Sequence, residues 1–590
     1  MMPKLRLILN QLARPGAIGP ACLLLSVLAA ESPKAEENTR GVKLTSPVKP
    51  LFNEPMLSEP GAPPQVLQQV LPPLKKSERE AELKSQVRFL LNALVLEGST
   101  VLSRADTDPV FAPYLQRWIT MEQLQEIRQT LSIMYLQRGY VNSGVVIPDQ
   151  RVSNGVVRLI AVEGRLASVN LTGNDDIADA YLLQRILPAT NQPLNAGELQ
   201  KALRQLQKDR LIAQIHAQLK PGGGLGEADL DIQVREAASK RISLTLDNRR
   251  TPSVGAEQAT LNFSDDNLTG YGDSLSLTLN GSAGVASGGV DYAFFVSRFD
   301  SRILLSYDIS DSRVVEEPFD QLDIESVSSS YSLGFSQPFY LSDNATLTAN
   351  LSLAHKQSET FLLGEPFSFS EGAVEGQTST TTLQLGLDWM LRTRDQAIYA
   401  SLSARRGLDV LGATDTEDGG GEGPNGVFFA LLGQLQYATR MDVWKGGRFI
   451  LRASGQKAFA PLFSMEKYSV GGRDSVRGYR ENQLVRDNGL SLSAELRLPV
   501  LTGESGADRY KLRLIPFIDS GLSWDESSSA HASEKVDIYS VGLGLQGDPL
   551  PGLHVDLFWA QALQKDNVRT DGDDLQDKGL HFSVQYLHEF

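Results

Sequence analysis

At 590 residues the chain is too long for one ordinary hydrophobic core, so it holds several domains or one very large barrel. Apolar residues make up 41% of it, and beyond the N-terminus no apolar run reaches the roughly 20 residues of a spanning helix, which excludes a helical membrane protein. A β-barrel stays open, because its strands alternate apolar and polar residues and cancel in any hydropathy average, whereas a net charge of -15 argues against nucleic acid as a partner.

Lys4, Arg6 and Arg14 precede an apolar stretch from Ala17 to Ala30 with a small-residue exit, the pattern of a secretory signal peptide over residues 1–30. The one cysteine, Cys22, lies inside that stretch with Leu23 to Leu28 still to follow, which misplaces it for a lipoprotein cleavage site. With the signal removed, no thiol is left for disulfide or thiolate chemistry. Residues 31–83 are rich in Pro, Glu and Lys and read as a flexible linker. Within it Gln65-Val66-Leu67-Gln68-Gln69-Val70-Leu71, flanked by Pro63-Pro64 and Pro72-Pro73, is either a sticky stretch of linker or a short docked helix.

Residues 84–163 and 164–238 repeat one water-soluble pattern. Leu96-Glu97-Gly98-Ser99 and Leu171-Thr172-Gly173-Asn174 each end an apolar strand with a turn. From Thr120 to Gly139 the spacing predicts an amphipathic helix: Leu124, Ile127, Leu131, Met134 and Tyr135 share a face, Thr120 with Gln123 offers a capping box, and Gly139 ends it. Strands follow near Gly144 to Pro148 and Val156 to Glu163. The second copy places helices near Ile177 to Leu187 and Ala196 to Lys208, then strands near Leu211 to Leu219 and Asp229 to Arg235. Each unit is strand, helix, helix, strand, strand, and such a sheet leaves edges that can accept an extended peptide.

From 239 to 590 the pattern changes to period two. Sixteen segments are expected, near 241–250, 257–267, 272–284, 288–300, 301–314, 328–340, 342–359, 378–392, 396–409, 426–441, 446–459, 489–499, 510–524, 536–548, 552–563 and 578–590. After the first hairpins, long polar loops alternate with links of a few residues, the arrangement of an outer-membrane barrel, and an even count returns the C-terminus to the side where the soluble repeats lie. In the last segment Leu580, Phe582, Val584, Tyr586 and Phe590 share one face, with His581, Ser583, Gln585 and Glu589 on the other. Ending on the aromatic Phe590 is the usual form of a barrel-assembly signal.

Two motifs stand out in the last third. Val476-Arg477-Gly478-Tyr479 lies in the sixth long loop, and Phe517-Ile518-Asp519-Ser520-Gly521 lies on the second strand after it. Arg-Gly-Tyr alone carries little, since Arg138-Gly139-Tyr140 occurs in the first repeat, where it is expected merely to end a helix. Position and the downstream partner give the later copy its weight.

With these motifs the chain, from linker to C-terminus, resembles the TpsB transporters of two-partner secretion, the hemolysin and filamentous-adhesin secretion/activation family. The resemblance implies two periplasmic α+β POTRA domains, 84–163 and 164–238, ahead of a sixteen-stranded transmembrane antiparallel β-barrel, 239–590. It further implies a bacterial outer-membrane location and secretion of an unfolded TpsA-type exoprotein, captured by the POTRA domains and conducted through the barrel, with activation of the cargo a further family property. Implied surroundings are outer-membrane lipid and lipopolysaccharide, periplasmic chaperones and the barrel-assembly machinery. By the same resemblance Arg477 pairs with Asp519 as a loop-barrel latch, whose other members are Val476, Gly478, Tyr479, Phe517 and Gly521; a bidentate Arg suits a confined lumen. An N-terminal helix plugs the resting pore in the family, and 65–71 is the candidate region. Lys208-Asp209-Arg210 stands near where many relatives have a Pro-Gly turn, so the local turn should differ.

Nothing in the sequence suggests an enzyme or a cofactor. Six histidines lack metal-ligand spacing and are expected to be polar filler at the surface or in the lumen, and Gly222-Gly223-Gly224 lacks the Lys-Ser/Thr of a phosphate loop. Asp571-Gly572-Asp573-Asp574 does not meet the calcium-loop pattern. The alternatives are a barrel-assembly factor of the same superfamily and, from another class, a passive porin or a barrel lipase; the repeats argue against a porin, and no Ser-His arrangement supports a lipase.

Overall fold

A computed structural model describes residues 88–590 apart from 298, 416–422, 442–445, 506–507, 527–534 and 565–571. The expected signal peptide, linker and plug region lie outside the described residues. In the first soluble unit β2 (Ala93–Glu97) runs parallel to β5 (Val156–Val162), and β4 (Gly144–Val146) pairs with the other edge of β5. Val157, Leu159 and Ala161 face inward at alternate positions of β5 and meet Leu124, Ile127, Leu131 and Tyr135 on one stripe of helix α2 (Met121–Gln137). Thr120 and Gln123 close the capping box of α2, and Gly139, at φ +89°, ends it. A short helix α1 (Arg104–Phe111) and a ribbon of β1 (Arg88–Leu91) with β3 (Arg117–Thr120) complete the unit. Pro109 and only two buried residues, Thr107 and Phe111, explain why α1 has little signature in the sequence.

The second unit repeats the order: β6 (Arg165–Thr172), α3 (Asp179–Ile186), α4 (Ala196–Leu206), β7 (Ile212–Pro221) and β8 (Glu227–Glu236), with sheet order β6-β8-β7. Leu182, Ile186, Leu199 and Leu203 on the helices pack on Ile215, Leu230 and Ile232 of the sheet.

Arg138-Gly139-Tyr140 does more than end α2. The Gly139 carbonyl accepts the Ala196 N–H of the second unit at 2.8 Å, the Arg138 carbonyl accepts from Asn195 Nδ2 at 3.1 Å, and the Arg138 guanidinium holds Asp106 at 2.5 Å. The segment is a point of contact between the two units, which corrects the expectation of a helix end alone. Beside it, burial pushes the Tyr135 phenol up to about 12. Burial also favours protonation of Glu163, but hydrogen bonds from Thr100, Tyr135 and the Val101 N–H outweigh it and hold that carboxyl below its ordinary value.

Sixteen antiparallel strands then close a barrel, each pairing with its neighbours in sequence. The first (Lys240–Asp247) meets the sixteenth (Leu580–Glu589) in a ladder from Asp247↔Ser583 to Arg241↔Glu589. On the eighth strand (Gln377–Arg392), Leu383, Leu385, Leu387 and Trp389 face outward while Thr378, Thr380 and Thr382 are buried in the lumen, the alternation a lipid-facing wall requires. No described helix is long and apolar enough to cross a membrane. Several strands outrun the expected segments: the twelfth runs Asn488–Ser505 against an expected 489–499, because strand pairing continues where the apolar signal stops.

The second soluble unit docks on the mouth of the barrel nearest the start of its first strand through ion pairs. Arg210 meets Asp266 at 2.7 Å, Arg185 meets Asp300 at 2.7 Å, and Lys208 meets Asp343 at 2.6 Å. Those aspartates lie one on each of the first three inner turns, and Asp266 also holds Arg241 of the first barrel strand. Lys208-Asp209-Arg210 is thus a docking turn, steadied by the Tyr181 hydroxyl on Asp209 at 2.5 Å. Asp266 is 2% exposed and holds two cations, Arg210 across the dock and Arg241 on the wall, so its charge is what ties this side of the dock to the barrel. The D266N variant is expected to loosen the dock and to raise protease nicking at 237–239, between the soluble units and the barrel, several-fold over the parent. An unchanged nicking rate would show that the dock does not depend on this carboxylate.

Candidate functional site

The loop joining the eleventh strand (Gly447–Ala458) to the twelfth is long and charged, yet it is among the most buried parts of the chain. Tyr468–Val470 pairs antiparallel with Leu484–Arg486, making a hairpin inside the barrel, and its tip carries the first motif. Val476 is fully buried, packed with Val470 and Tyr479 against Val536 and Ile538 of the fourteenth strand (Val536–Leu550). This apolar seat fixes the tip before any charge is considered.

Arg477, 1% exposed, reaches the thirteenth strand (Asp508–Trp524). Its Nε and Nη2 donate to the two oxygens of Asp519, each at 2.7 Å, and its backbone N–H donates to Oδ2 at 3.1 Å. The remaining guanidinium donors reach Ser493 Oγ at 2.9 Å and Glu495 at 3.2 Å on the twelfth strand, and the ring of Phe517 lies 3.5 Å beneath the guanidinium carbon. A bidentate pair with an aromatic floor uses the planar fork that Lys lacks.

Each remaining motif residue has a steric or polar reason. Gly478 has φ +90°, and a Cβ there would lie 3.0 Å from the Ala560 carbonyl oxygen. Its N–H donates to His581 Nε2 at 3.1 Å. The Tyr479 hydroxyl lies 2.9 Å from the Tyr539 carbonyl and 2.8 Å from that of Gln564, pinning the tip to the fourteenth strand and the last outer loop. A Cβ on Gly521 would stand 2.3 Å from Val470 Cγ1 and 2.8 Å from Val476 Cγ2, so the loop rests directly on that glycine. Ile518, by contrast, is 57% exposed on the lipid side, the alternation that aims Phe517 and Asp519 inward.

Phe590 is not part of this constellation. Its backbone exchanges hydrogen bonds with Lys240 at the end of the seam nearest the soluble units, beside a cavity of 260 Å³ lined by Ile177, Glu236 and Asn267. Sequence reasoning missed several partners. Glu495 also holds Arg452 at 2.8 Å and Arg497 at 2.9 Å, and Arg480, directly after the motif, clasps Asp577 of the last outer loop and Glu316 of the third. Ser493 is the cross-strand partner of Asp519, and Glu495 shares its inward face two residues on, so inward parity on the neighbouring strand was the available signal. His581, expected as polar filler, is instead a specific acceptor for the loop tip. Among the described residues no three His, Cys, Asp or Glu side chains gather to hold a metal.

The family of haemolysin secretion/activation proteins ShlB/FhaC/HecB has a sequence model that matches residues 226–547, more than half of the chain. The chain belongs to this family. A ShlB-type POTRA domain matches residues 89–164. Among curated relatives the chain is similar to the outer membrane transporter CdiB of Escherichia coli O6:K15:H31, 22% identical over 80% of this chain and 82% of the relative. It is equally similar to the heme/hemopexin transporter protein HuxB of Haemophilus influenzae strain 86-028NP, 22% identical over 80% and 83%. The solved structure of CdiB from Escherichia coli shares the fold with a TM-score of 0.61 at 19% identity, over 85% of this chain and 91% of that one. This ShlB/FhaC/HecB family member is therefore an outer-membrane transporter of the two-partner secretion type, with its POTRA domains on the periplasmic side.

Proposed function

We propose that the two POTRA domains capture an unfolded exoprotein in the periplasm, that the barrel passes it outward, and that loop 6, held by Arg477 on Asp519, is the latch that keeps the lumen in its working arrangement. One observation carries the capture step: both soluble sheets are three-stranded, among the described residues no further strand pairs with their edges, β2 and β4 in one and β6 and β7 in the other, and the second unit is docked at the mouth of the barrel. An extended segment can add to such an edge through main-chain hydrogen bonds that ignore sequence, which suits an unfolded cargo. Folding of the cargo outside supplies the direction, and the same chain contacts give the transporter its opportunity to activate what it exports.

The test is a comparison of secreted and cell-surface proteins with and without this chain. Loss of one very large, β-rich exoprotein is the expected result, and it names the cargo. Loss of many unrelated outer-membrane barrels, with secretion affected only through them, would replace the proposal with an assembly-factor role.

A further inference from the structure

Loop 6 is pinned a second time, on the other side of the lumen, by a residue outside both motifs. Glu466 lies in a single 3-10 turn, Ser464–Glu466, on the limb of the loop that leaves the eleventh strand, and it is 1% exposed. Its Oε1 accepts from Lys356 Nζ at 2.8 Å on the seventh strand (Ala345–Leu362) and from Thr380 Oγ1 at 3.1 Å on the eighth. Its Oε2 accepts from Arg405 Nη1 at 2.9 Å on the ninth (Gln396–Leu408), and its backbone carbonyl accepts from Gln456 Nε2 at 2.9 Å. One carboxylate thus gathers side chains from three consecutive strands.

The place of those strands gives the contact its meaning. Glu466 sits on strands seven to nine, whereas the tip touches strands twelve to fourteen through Arg477 and Val476 and the sixteenth through Gly478 and His581. In a ring of sixteen, the eighth and sixteenth strands stand on opposite walls. A carboxylate buried this deeply is tolerated only with counter-charges and hydrogen bonds that replace water, and here both are supplied by the wall and none by the loop's own tip. We infer that Glu466 is a second positioning residue of loop 6, so that the loop is a strut held at both walls and the Arg477 latch works only while the Glu466 end is seated. The inference rests on reading loop 6 as the latch of the lumen.

Ser464 and Ser370 of the fourth outer loop supply the probe, because their hydroxyls lie 2.9 Å apart on the outer side. A disulfide between S370C and S464C then forms only while this limb is seated, and the sole natural cysteine, Cys22, falls in the expected signal peptide. In intact outer membranes under mild oxidant, the cross-link should form readily in the S370C/S464C chain and about tenfold more slowly once E466Q is added, which corresponds to about 1.4 kcal/mol of lost preference for the seated position. The barrel should remain heat-modifiable in both. Equal rates would overturn the inference. If E466Q does not accumulate as a folded barrel, K356M decides by the same rate, with a slower cross-link expected and an unchanged one overturning. The two readings fail separately: an Arg477 variant that secretes normally removes the latch and leaves this rate difference untouched.

Discussion

Replacing Arg477 with alanine should reduce secretion to a few per cent of the parent or less while leaving the barrel inserted. The substitution strips Asp519 of a bidentate partner and Glu495 of one of its cations, inside a site where both carboxylates are about 2% exposed or less. Leaving one member of a buried pair behind costs about 3–5 kcal/mol, and at about 1.4 kcal/mol per factor of ten the seated loop loses two orders of magnitude or more in population. The wall does not share the loss, because strands twelve to fourteen are held by backbone ladders that do not include the guanidinium. R477K should fall between, keeping the charge but not the fork. D519N should be milder than R477A, since Glu495 and Ser493 still receive Arg477. Cargo in the medium, measured against heat-modifiable barrel in the outer membrane, checks all three. Normal cargo export by R477A would remove the latch from the mechanism.

Gly521→Val should displace the same loop without touching a charge. A Cβ at that position already collides with Val470 and Val476, and valine adds two methyl groups in a space that has none to give. Overpacking of this kind typically costs about 1–3 kcal/mol, and the yielding partner is the loop, because Gly521 is tied to Ser491 and Ile538 on both sides of the sheet. Secretion is expected to fall although Arg477 and Asp519 are both present. Arg473, Arg477 and Arg480, each 8% exposed or less in the parent, should become open to external trypsin on whole cells. A parental trypsin pattern with parental secretion would show that seating of the loop does not depend on this contact.

These expectations draw unequally on sequence and structure. Strand positions were legible because a wall between lipid and lumen imposes period two, as in Leu383 to Trp389, and the α2 helix because a capped amphipathic stripe imposes its own period. The short helix with Pro109 was not, since two buried residues make no stripe. The two motifs drew notice by resemblance, and their chemistry by residue type. Glu466, Glu495 and His581 drew none, as Arg405, Arg452 and Gly478, which they meet, lie tens to more than a hundred residues away in the chain.

By itself, then, the sequence determined what each local stretch must do: alternate, cap, turn, and count to an even number of strands that leaves both ends on one side of the membrane. Tertiary structure alone decided which charges meet. Closing sixteen strands brings the seventh to ninth opposite the sixteenth, and a loop folded into that lumen must match its carboxylates and cations to whatever side chains the far walls present, because Glu466, Arg477 and Asp519 are almost fully buried there and an unmatched buried charge is costly.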